Sequence, residues 1–522
     1  MSVKKISLFF PIAFLLLAFT GGKDPVREKY AALITAEDMK THLSVIASDE
    51  YEGRETAMPG QKKAAEYIAK QFASFGIPPY ANGSYFQDVP LIEYRPSSGS
   101  VTTPKNKYEF GKDFFFPPSD ASRHEKCDTL VFLGYGIDDP AYNDYANTDV
   151  SGKAVLIMDG EPKDRNGNNL ISGSKAPSEW YVKRAKKVSE AQKHNAGALL
   201  IVVDEYDKAL AKIMSHDHMS MLVPDEENDV SVIYDEMPVL LITRSMADNL
   251  LKEGKQTPLE KLVEKISGKK KPVHTFSKMK MDIVAQSTGR SVHSENVLGY
   301  LEGSDLKGQL VVITAHYDHL GKDSVVYNGA DDDGSGTVSI IELAKAFAQA
   351  KKEGHGPRRS ILFMTMTGEE KGLLGSSWYT SHPVFPLDST VCDLNIDMIG
   401  RIDTTHAADT NYVYVIGSGM ISAELKTINE TENNTYTGLS LDYRYDKKDD
   451  PNRFYYRSDH YNFAKNGIPV AFFFNGVHPD YHRETDEVQK IHFPLMEKRA
   501  QLVFYTAWEI ANRNERLKIT QK

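Results

Sequence analysis

Five short stretches of this chain combine histidine with acidic residues. In chain order they read A-H-Y-D-H-L-G, N-G-A-D-D-D-G-S-G, T-G-E-E-K-G-L-L-G-S, N-I-D-M-I-G and H-P-D-Y-H-R-E-T-D-E. Each stretch stands where an apolar run ends, and an apolar run of this kind is typical of a buried strand. Ligands of open α/β sheets bind at the carboxyl ends of strands. The five stretches together therefore predict one site.

The residue types in these stretches suit a pair of metal ions. Zinc binds imidazole nitrogen and carboxylate oxygen, and a catalytic zinc site leaves one position for water. Two ions roughly 3.5–4 Å apart need a shared ligand, which a carboxylate can provide with its two oxygens. A further carboxylate is then needed as a proton acceptor, and Glu369 stands directly before Glu370.

Each stretch also has an ordinary structural explanation. A single H-x-D is usually a hydrogen-bonded pair, adjacent glutamates usually lie on a solvated helix face, and Asp-Asp-Asp-Gly-Ser-Gly is usually a turn. The occurrence of all five in this order favours the metal site over these separate explanations.

The ordered set resembles the co-catalytic zinc peptidases, which include bacterial secreted leucyl aminopeptidases and glutamate carboxypeptidase II. The resemblance spans about Val292 to Ala511 and, more weakly, the segment before it. It implies two Zn²⁺ ions per chain and peptide substrates. It also implies five metal ligands, with Asp332 bridging both ions, His316 and Asp397 on one ion, and Glu370 and His482 on the other.

The same resemblance assigns roles to residues that are not ligands. Glu369 would be the general base and later the acid that protonates the leaving amine. Tyr481 would donate to the oxyanion, and Asp318 would hold the His316 ring. The family also often has a cis peptide after the bridging aspartate, here Asp332–Asp333, although cis bonds are rare outside proline.

The composition describes a globular protein of two or three domains. The chain has 522 residues, of which 41% are hydrophobic and 26% are charged. A chain of this length is too long to fold around a single hydrophobic core. The net charge of −10 argues against binding to nucleic acid or to an anionic membrane surface. We attribute this acidity to solubility.

Residues 1–22 have the pattern of a signal peptide. Lys4 and Lys5 precede a short apolar run that Pro11 interrupts, and such a run is too short to span a membrane. We expect a bacterial exported enzyme, periplasmic or secreted, with no stable membrane span. The two cysteines, Cys127 and Cys392, are expected to be buried free thiols.

Three further segments follow the signal peptide. Residues 23–111 predict an N-terminal helical segment in which Thr35 caps a helix. Residues 112–270 resemble the β-rich protease-associated insert of the same family, and we expect neither a catalytic group nor a metal-ligand cluster there. Residues 271–522 alternate strands with helices, including helices at Ser335–Ala350 and about Pro494–Ala511. This alternation predicts an α/β fold with a mainly parallel mixed sheet and helices on both faces.

The segment Tyr443–His460 is dense in charged and aromatic residues. It is equally consistent with a solvated loop and with a rim that binds substrate through residues such as Arg453 and Arg457, together with Tyr455 and Tyr456. Asp459 and His460 resemble a family motif near the site, and we interpret them as support for the site rather than as ligands.

The leading hypothesis is a metallo-exopeptidase that removes N-terminal residues from peptides. The direction of attack follows from the resemblance, so a carboxypeptidase of the same family stays open. A glutaminyl cyclase-like acyltransferase would use one zinc, and a non-enzymatic binding ectodomain, as in the transferrin receptor, would use none. Metal content separates these hypotheses. The sequence leaves open the oligomeric state, the accepted side chain and the metal used in the cell.

Overall fold

The N-terminal segment, expected to be helical, is helical only as far as Ser74, and from Phe86 it is a long strand. A computed structural model describes residues 22–80, 83–208, 210, 220–225 and 237–520. The hydroxyl of Thr35 accepts a hydrogen bond from the backbone N–H of Asp38 at 3.1 Å, which confirms the predicted helix cap. The elements of this segment are α1 (Pro25–Ala31), α2 (Ala36–Ile46), α3 (Pro59–Ser74) and the long strand β1 (Phe86–Thr102).

The middle of the chain mixes short strands with helices. Its strands are β2 (Lys107–Glu109), β3 (Phe114–Phe115), β4 (Arg123–Leu133), β5 (Asp138–Asp139), β6 (Tyr142–Asn143), β7 (Ala154–Met158), β8 (Ala198–Val202), β9 (Met221–Pro224) and β10 (Val239–Ile242). Its helices are α4 (Glu179–Val182), α5 (Arg184–Lys193), α6 (Arg244–Glu253) and α7 (Leu259–Lys269).

Strands β4, β7, β8 and β10 of this middle part are parallel neighbours. Their hydrophobic core also includes Val101 and Met281, which lie outside the proposed boundaries at 112 and 270. The assignment of this region to a protease-associated domain stays a prediction.

The C-terminal part alternates strands with helices. Its strands are β11 (His274–Leu301), β12 (Leu306–His316), β13 (Arg359–Met366), β14 (Thr390–Ile396), β15 (Tyr412–Ile416), β16 (Ser440–Asp442) and β17 (Val470–Phe474). Its helices are α8 (Gly336–Lys352), α9 (Leu374–Ser381), α10 (Ala423–Glu432), α11 (His460–Lys465) and α12 (Phe493–Asn512).

The sheet is mixed and its centre is parallel. The strand order is β16-β15-β17-β14-β12-β13-β11, in which β13, β12, β14 and β17 run parallel to one another. Strand β11 is antiparallel to β13, and β15 is antiparallel to β17. The first half of β11 pairs with β4, so one sheet continues from the C-terminal part into the middle part.

Helices cover both faces of the central sheet. Alternate residues of a strand point to opposite faces, and in β12 Val311 and Ile313 pack with α8 and α12. Leu310 and Val312 pack on the other face, with α9 and α11. These strands are apolar on both sides because both sides are buried. The predicted α/β fold with a mixed sheet and helices on both faces is confirmed.

Two further expectations concern the cysteines and the membrane. Cys127 and Cys392 are both buried and form no disulfide, as predicted. Over the ranges that the structure describes, no helix is both long enough and apolar enough to span a bilayer. The predicted signal peptide, apart from Gly22, lies outside the described residues.

Candidate metal centre

The five predicted metal ligands meet at one edge of the central sheet. His316 is the last residue of β12, Glu370 follows β13, and Asp397 directly follows β14. Asp332 lies in the turn that leads into α8, and His482 lies in the loop after β17. Because β12, β13, β14 and β17 are parallel, their carboxyl ends bring residues that are far apart in sequence to one place.

The carboxylate of Asp332 lies between two histidines. Its Oδ1 is 3.3 Å from Nε2 of His316, and its Oδ2 is 3.1 Å from Nε2 of His482. Nε2 of His316 also lies 3.7 Å from Oδ1 of Asp397, while Nε2 of His482 lies 3.2 Å from Oε2 of Glu370. Each oxygen of Asp332 therefore faces a separate His–carboxylate pair, which is the arrangement that a bridging ligand requires.

The donor atoms at this centre lack ordinary partners. Nε2 of His316, Nε2 of His482 and Oδ2 of Asp332 are buried and have no hydrogen-bond partner among the described residues. Buried polar atoms are nearly always satisfied, so an unsatisfied group of this kind needs an explanation. Imidazole nitrogen and carboxylate oxygen are the donors that zinc prefers. The residues present fit a pair of zinc ions.

The charges of these groups depend on one another when no metal is bound. Burial alone would raise the pKa of Asp332. The proximity of His316 and His482 outweighs burial and holds this pKa well below its usual value. Despite burial, the neighbouring carboxylates of Asp332 and Glu370 raise the pKa of His482 to about 10. A divalent cation would replace these protons as the positive charge at the centre.

Ring orientation at His316 is set by a backbone group. Its Nδ1 donates to the backbone carbonyl of Asp318 at 3.0 Å, so Nε2 keeps its lone pair for a metal. The Asp318 carboxylate was expected to hold this ring, but its Oδ1 is 3.8 Å from Nδ1. That carboxylate instead accepts hydrogen bonds from the Thr56 hydroxyl at 2.8 Å and from the backbone N–H of Glu369 at 3.2 Å.

Glu369 lies at the centre, although the set of five ligands is complete without it. Its Oε2 is 3.9 Å from Nε2 of His316, and its carboxylate is close enough to His316 and Asp397 to share a cation with them. Burial raises the pKa of Glu369 well above its usual value, and nearby carboxylates, including Glu370, add to the effect, while His316 opposes it. A carboxylate in this state is suited to take and return a proton.

The turn that carries Asp332 is held by its acidic neighbours. The peptide bond between Asp332 and Asp333 is cis, as expected from the resemblance. The Asp333 carboxylate accepts from the backbone N–H groups of Gly336 at 2.8 Å and Met398 at 3.0 Å. The carboxylate of Asp486 accepts from the backbone N–H of Asp332 at 3.1 Å. Asp333 and Asp486 thus position the backbone around the Asp332 side chain.

A buried arginine from the N-terminal segment also supports this turn. Arg54 is fully buried, and its guanidinium donates to four backbone carbonyls, those of Ile46, Tyr317, Asn328 and Gly329, at 2.7–2.9 Å. Asp318 and Asp332 are close enough to stabilise its charge. The segment around Arg54 resembles the N-terminal part of the family, but its sequence did not reveal this role.

His319 is a site residue that the sequence reasoning missed. It is fully buried, and its Nδ1 lies 2.8 Å from Oε1 of Glu370 and 3.9 Å from Oδ2 of Asp332. His319, Asp332 and Glu370 can together approach one cation. The signal was present in A-H-Y-D-H-L-G, where His319 follows directly after Asp318.

A cleft opens beside the predicted ligands. Its walls include Glu369, Tyr481 and Arg457 together with the apolar side chains Met398, Phe454, Phe472, Phe474 and Val477. The Tyr481 ring stacks on His482 with 3.9 Å between ring centroids, and its hydroxyl accepts from the Arg457 guanidinium at 3.2 Å. None of these lining residues belongs to 112–270.

The segment Tyr443–His460 contributes unequally to this cleft. Arg457 lines it, whereas Arg453 lies over the Tyr456 ring at 4.8 Å from the centroid. Asp459 and His460 are fully buried behind the cleft. Burial raises the pKa of Asp459 to about 7 and lowers the pKa of His460 to about 3. The His460 ring packs on Phe472, a wall of the cleft, and Asp459 is close enough to His316 for their charges to interact.

One expectation about the middle part was wrong. A metal-ligand cluster was not expected there, yet donor atoms of Asp138, Glu190 and His194 lie within 4.8 Å of one another. Glu190 and His194 are four residues apart and share a helix face, and the fold brings Asp138 of β5 beside them. All three are partly exposed, and His194 also stacks on Tyr145.

Known proteins share both the sequence and the fold of this part of the chain. A sequence model of peptidase family M28 matches residues 296–507. Aminopeptidase YwaD of Bacillus subtilis is 27% identical over 238 residues, which cover 44% of this chain and 47% of that protein. The chain thus matches about half the length of this relative.

Two solved structures match over nearly their whole length. An aminopeptidase from Aneurinibacillus sp. strain AM-1 has a TM-score of 0.54 at 20% identity, covering 94% of this chain and 97% of its own. The zinc aminopeptidase BSAP from Bacillus subtilis has a TM-score of 0.51 at 19% identity, covering 93% and 97%. At this identity the likeness is one of fold. The match over residues 296–507 shows that this part of the chain carries the sequence pattern of peptidase family M28.

Proposed function

We propose that this protein is an exported aminopeptidase that uses two zinc ions to remove N-terminal residues from peptides. The position of Asp332 carries this proposal, because each of its two oxygens faces a different histidine, and Nε2 of each histidine makes no hydrogen bond within the described part of the chain. A centre built for one ion would not need a carboxylate with both oxygens directed at separate donor sets.

The ligands divide into two groups around the shared carboxylate. His316 and Asp397 would hold one ion and Glu370 and His482 the other, with Asp332 common to both. Two divalent ions, when bound, would supply Lewis acidity that activates water and polarises the peptide carbonyl. Two proteins with matching folds are named aminopeptidases, and one of them is named a zinc aminopeptidase, which supports the choice of metal and reaction.

Glu369 would move the proton. Its Oε2 lies 3.9 Å from Nε2 of His316, and its backbone N–H is anchored by the hydrogen bond to the Asp318 carboxylate. It would take a proton from the attacking water and return that proton to the leaving amine. The other carboxylates of the centre are needed as ligands, so Glu369 is left for this role.

Tyr481 would stabilise the charge that develops on the substrate carbonyl oxygen. Its ring is fixed against His482, and its side chain lines the same cleft as Glu369. Burial, together with the charges of Asp332 and Glu370, raises the pKa of Tyr481, so the hydroxyl keeps its proton and can donate it as a hydrogen bond.

Export is part of the proposal. It rests on Lys4, Lys5 and the apolar run that follows them in residues 1–22, which have the order of charged and apolar regions that signal peptides share.

Hydrolysis of matched substrates tests the proposal. Zinc-loaded protein should release the N-terminal residue from aminoacyl amides and peptides with a free amine, lose activity with a chelator and recover with added zinc. N-acetylated versions of the same peptides are the control and should stay intact. Cleavage at the C-terminus of an acetylated peptide would favour the carboxypeptidase hypothesis, and cyclisation of an N-terminal glutamine with one zinc per chain would favour the cyclase.

A further inference from the structure

We propose that Arg457 binds a carboxylate group of the peptide substrate. The proposal rests on the proposed peptidase function and adds a substrate class to it. The carboxylate has two possible sources in a peptide, the side chain of an N-terminal Asp or Glu, or the free C-terminus of a very short peptide.

Arg457 occupies the mouth of the cleft beside the metal centre. A short 3₁₀ turn, Phe454–Tyr456, ends immediately before it, and helix α11 begins three residues later. The Arg457 side chain is exposed but lines the same cleft as Glu369 and Tyr481. A group held here is therefore close to a peptide whose scissile bond lies at the centre.

The guanidinium of Arg457 has no carboxylate partner within the described part of the chain. Its one side-chain hydrogen bond there is the donation to the Tyr481 hydroxyl at 3.2 Å. An arginine has five N–H donors in a planar fork that matches a carboxylate. Most donors of Arg457 are thus left for solvent or for a ligand. Other arginines near the site are paired, such as Arg401, which lies 2.7 Å from Asp480.

The other charged side chains of the cleft do not neutralise the Arg457 guanidinium. Among the described residues that line the cleft, Asp332, Glu369 and Asp397 are acidic, and Arg457 is the sole basic residue. The acidic groups face the metal centre, and no ion pair within 4.0 Å joins any of them to Arg457. A carboxylate brought in by the substrate would meet a guanidinium that no protein carboxylate already occupies.

Aromatic side chains hold Arg457 and shape what binds beside it. The guanidinium carbon lies 5.1 Å from the centroid of the Phe454 ring, which restricts its position. Phe472, Phe474 and Met398 form apolar walls of the cleft. A side chain with an apolar stem and a terminal carboxylate could pack its stem against these walls and place its charge at the fork.

A different role for Arg457 would be to orient Tyr481 through their hydrogen bond. The two roles predict different results. If Arg457 only positions Tyr481, its loss affects every substrate equally because the carbonyl is common to all. If it binds a substrate carboxylate, its loss affects only substrates that carry one.

Two matched substrate pairs separate the two roles and the two sources of carboxylate. Glutamyl and glutaminyl p-nitroanilides differ only in the side-chain charge, and leucyl-alanine and leucyl-alaninamide differ only in the C-terminal charge. We expect Arg457→Gln to lower kcat/KM for the charged member of at least one pair by about 10- to 100-fold, the size of a charge-assisted hydrogen bond. The neutral members should change by no more than about threefold, and Arg453→Gln, outside the cleft, should match wild type.

Calorimetry provides a readout that needs no turnover. The same pairs are titrated into zinc-loaded Glu369→Gln protein, with and without Arg457→Gln. The proposal is supported if the charged member of a pair binds more tightly than the neutral one and Arg457→Gln abolishes this difference. A failure to hydrolyse any of these substrates would count only against the proposed function. The role of Arg457 would be overturned if Arg457→Gln lowered kcat/KM and affinity equally for charged and neutral members. It would also be overturned if neither kinetics nor calorimetry showed a preference for the charged member of either pair.

Discussion

The guanidinium of Arg54 donates to the backbone carbonyl of Gly329 at 2.9 Å, three residues before Asp332, the candidate bridging ligand. Arg54 and Gly329 are 275 positions apart in the chain, so the N-terminal segment is part of the structure that holds the metal centre.

Replacing Arg54 with Met should destabilise the protein and weaken metal binding. The change leaves buried backbone carbonyls without donors and removes the positive charge beside Asp318 and Asp332. We therefore expect the free energy of unfolding to fall by at least about 3 kcal/mol. Thermal unfolding and zinc titration measure the two effects. Arg453→Met, an exposed control, should stay within about 0.5 kcal/mol of wild type. A stable Arg54→Met protein with normal zinc affinity would contradict this role.

Replacing Glu369 with Gln should keep the metals and remove most of the turnover. Glutamine preserves the shape of the side chain but cannot accept a proton, and general acid–base groups typically contribute about 100- to 10,000-fold in rate. Metal analysis and kcat on an aminoacyl amide are the measurements, and Glu484→Gln, an exposed neighbour of His482, is the control. Normal turnover, or loss of the metals, would remove Glu369 from this role.

Replacing Asp332 with Asn should damage both metal positions, whereas His316→Ala or Glu370→Ala should first weaken one. The reason is that Asp332 faces both His316 and His482 with separate oxygens. Zinc content after dialysis against graded chelator gives the stoichiometry of each variant. An identical loss profile in all three variants would argue against a shared carboxylate, and one zinc in the active wild type would argue against a dinuclear centre.

His460 should make the protein less stable in mild acid. Burial lowers its pKa to about 3, whereas an unfolded histidine has a pKa of about 6.5. Below pH 6.5 the unfolded chain binds a proton that the folded chain does not, so stability is fully present above pH 6.5 and declines as pH falls toward 3. At pH 5 the free energy of unfolding should be lower by about 2 kcal/mol on account of His460.

The variant His460→Phe should flatten this dependence. Phenylalanine cannot titrate, and the ring at this position already packs on Phe472 with 4.7 Å between centroids. Thermal unfolding from pH 8 to pH 5 gives the slopes of the two proteins. His124→Phe, which removes an exposed histidine, should keep the slope of wild type. Equal slopes for wild type and His460→Phe would show that His460 titrates normally.

The periodicity of apolar residues was enough to predict the core elements near the site. The helices expected at Ser335–Ala350 and about Pro494–Ala511 are observed as α8 (Gly336–Lys352) and α12 (Phe493–Asn512). Strand β11 shows the limit, because it runs for 28 residues, from His274 to Leu301, and no apolar pattern predicts a strand of that length. Pairing with β1 on one side keeps this strand extended. The sequence pattern alone does not reveal that β1 is the pairing strand.

The sequence by itself determined which residue types form the metal centre. His316 ends β12 and Asp397 directly follows β14, and parallel strands must bring their carboxyl ends to one edge. The tertiary structure alone decided which atoms meet. It showed that the backbone of Asp318 orients His316, that Arg54 holds the turn of Asp332, and that Arg457 has no carboxylate partner among the described residues. These relationships depend on side-chain direction and on contacts between distant segments, which local sequence patterns do not encode.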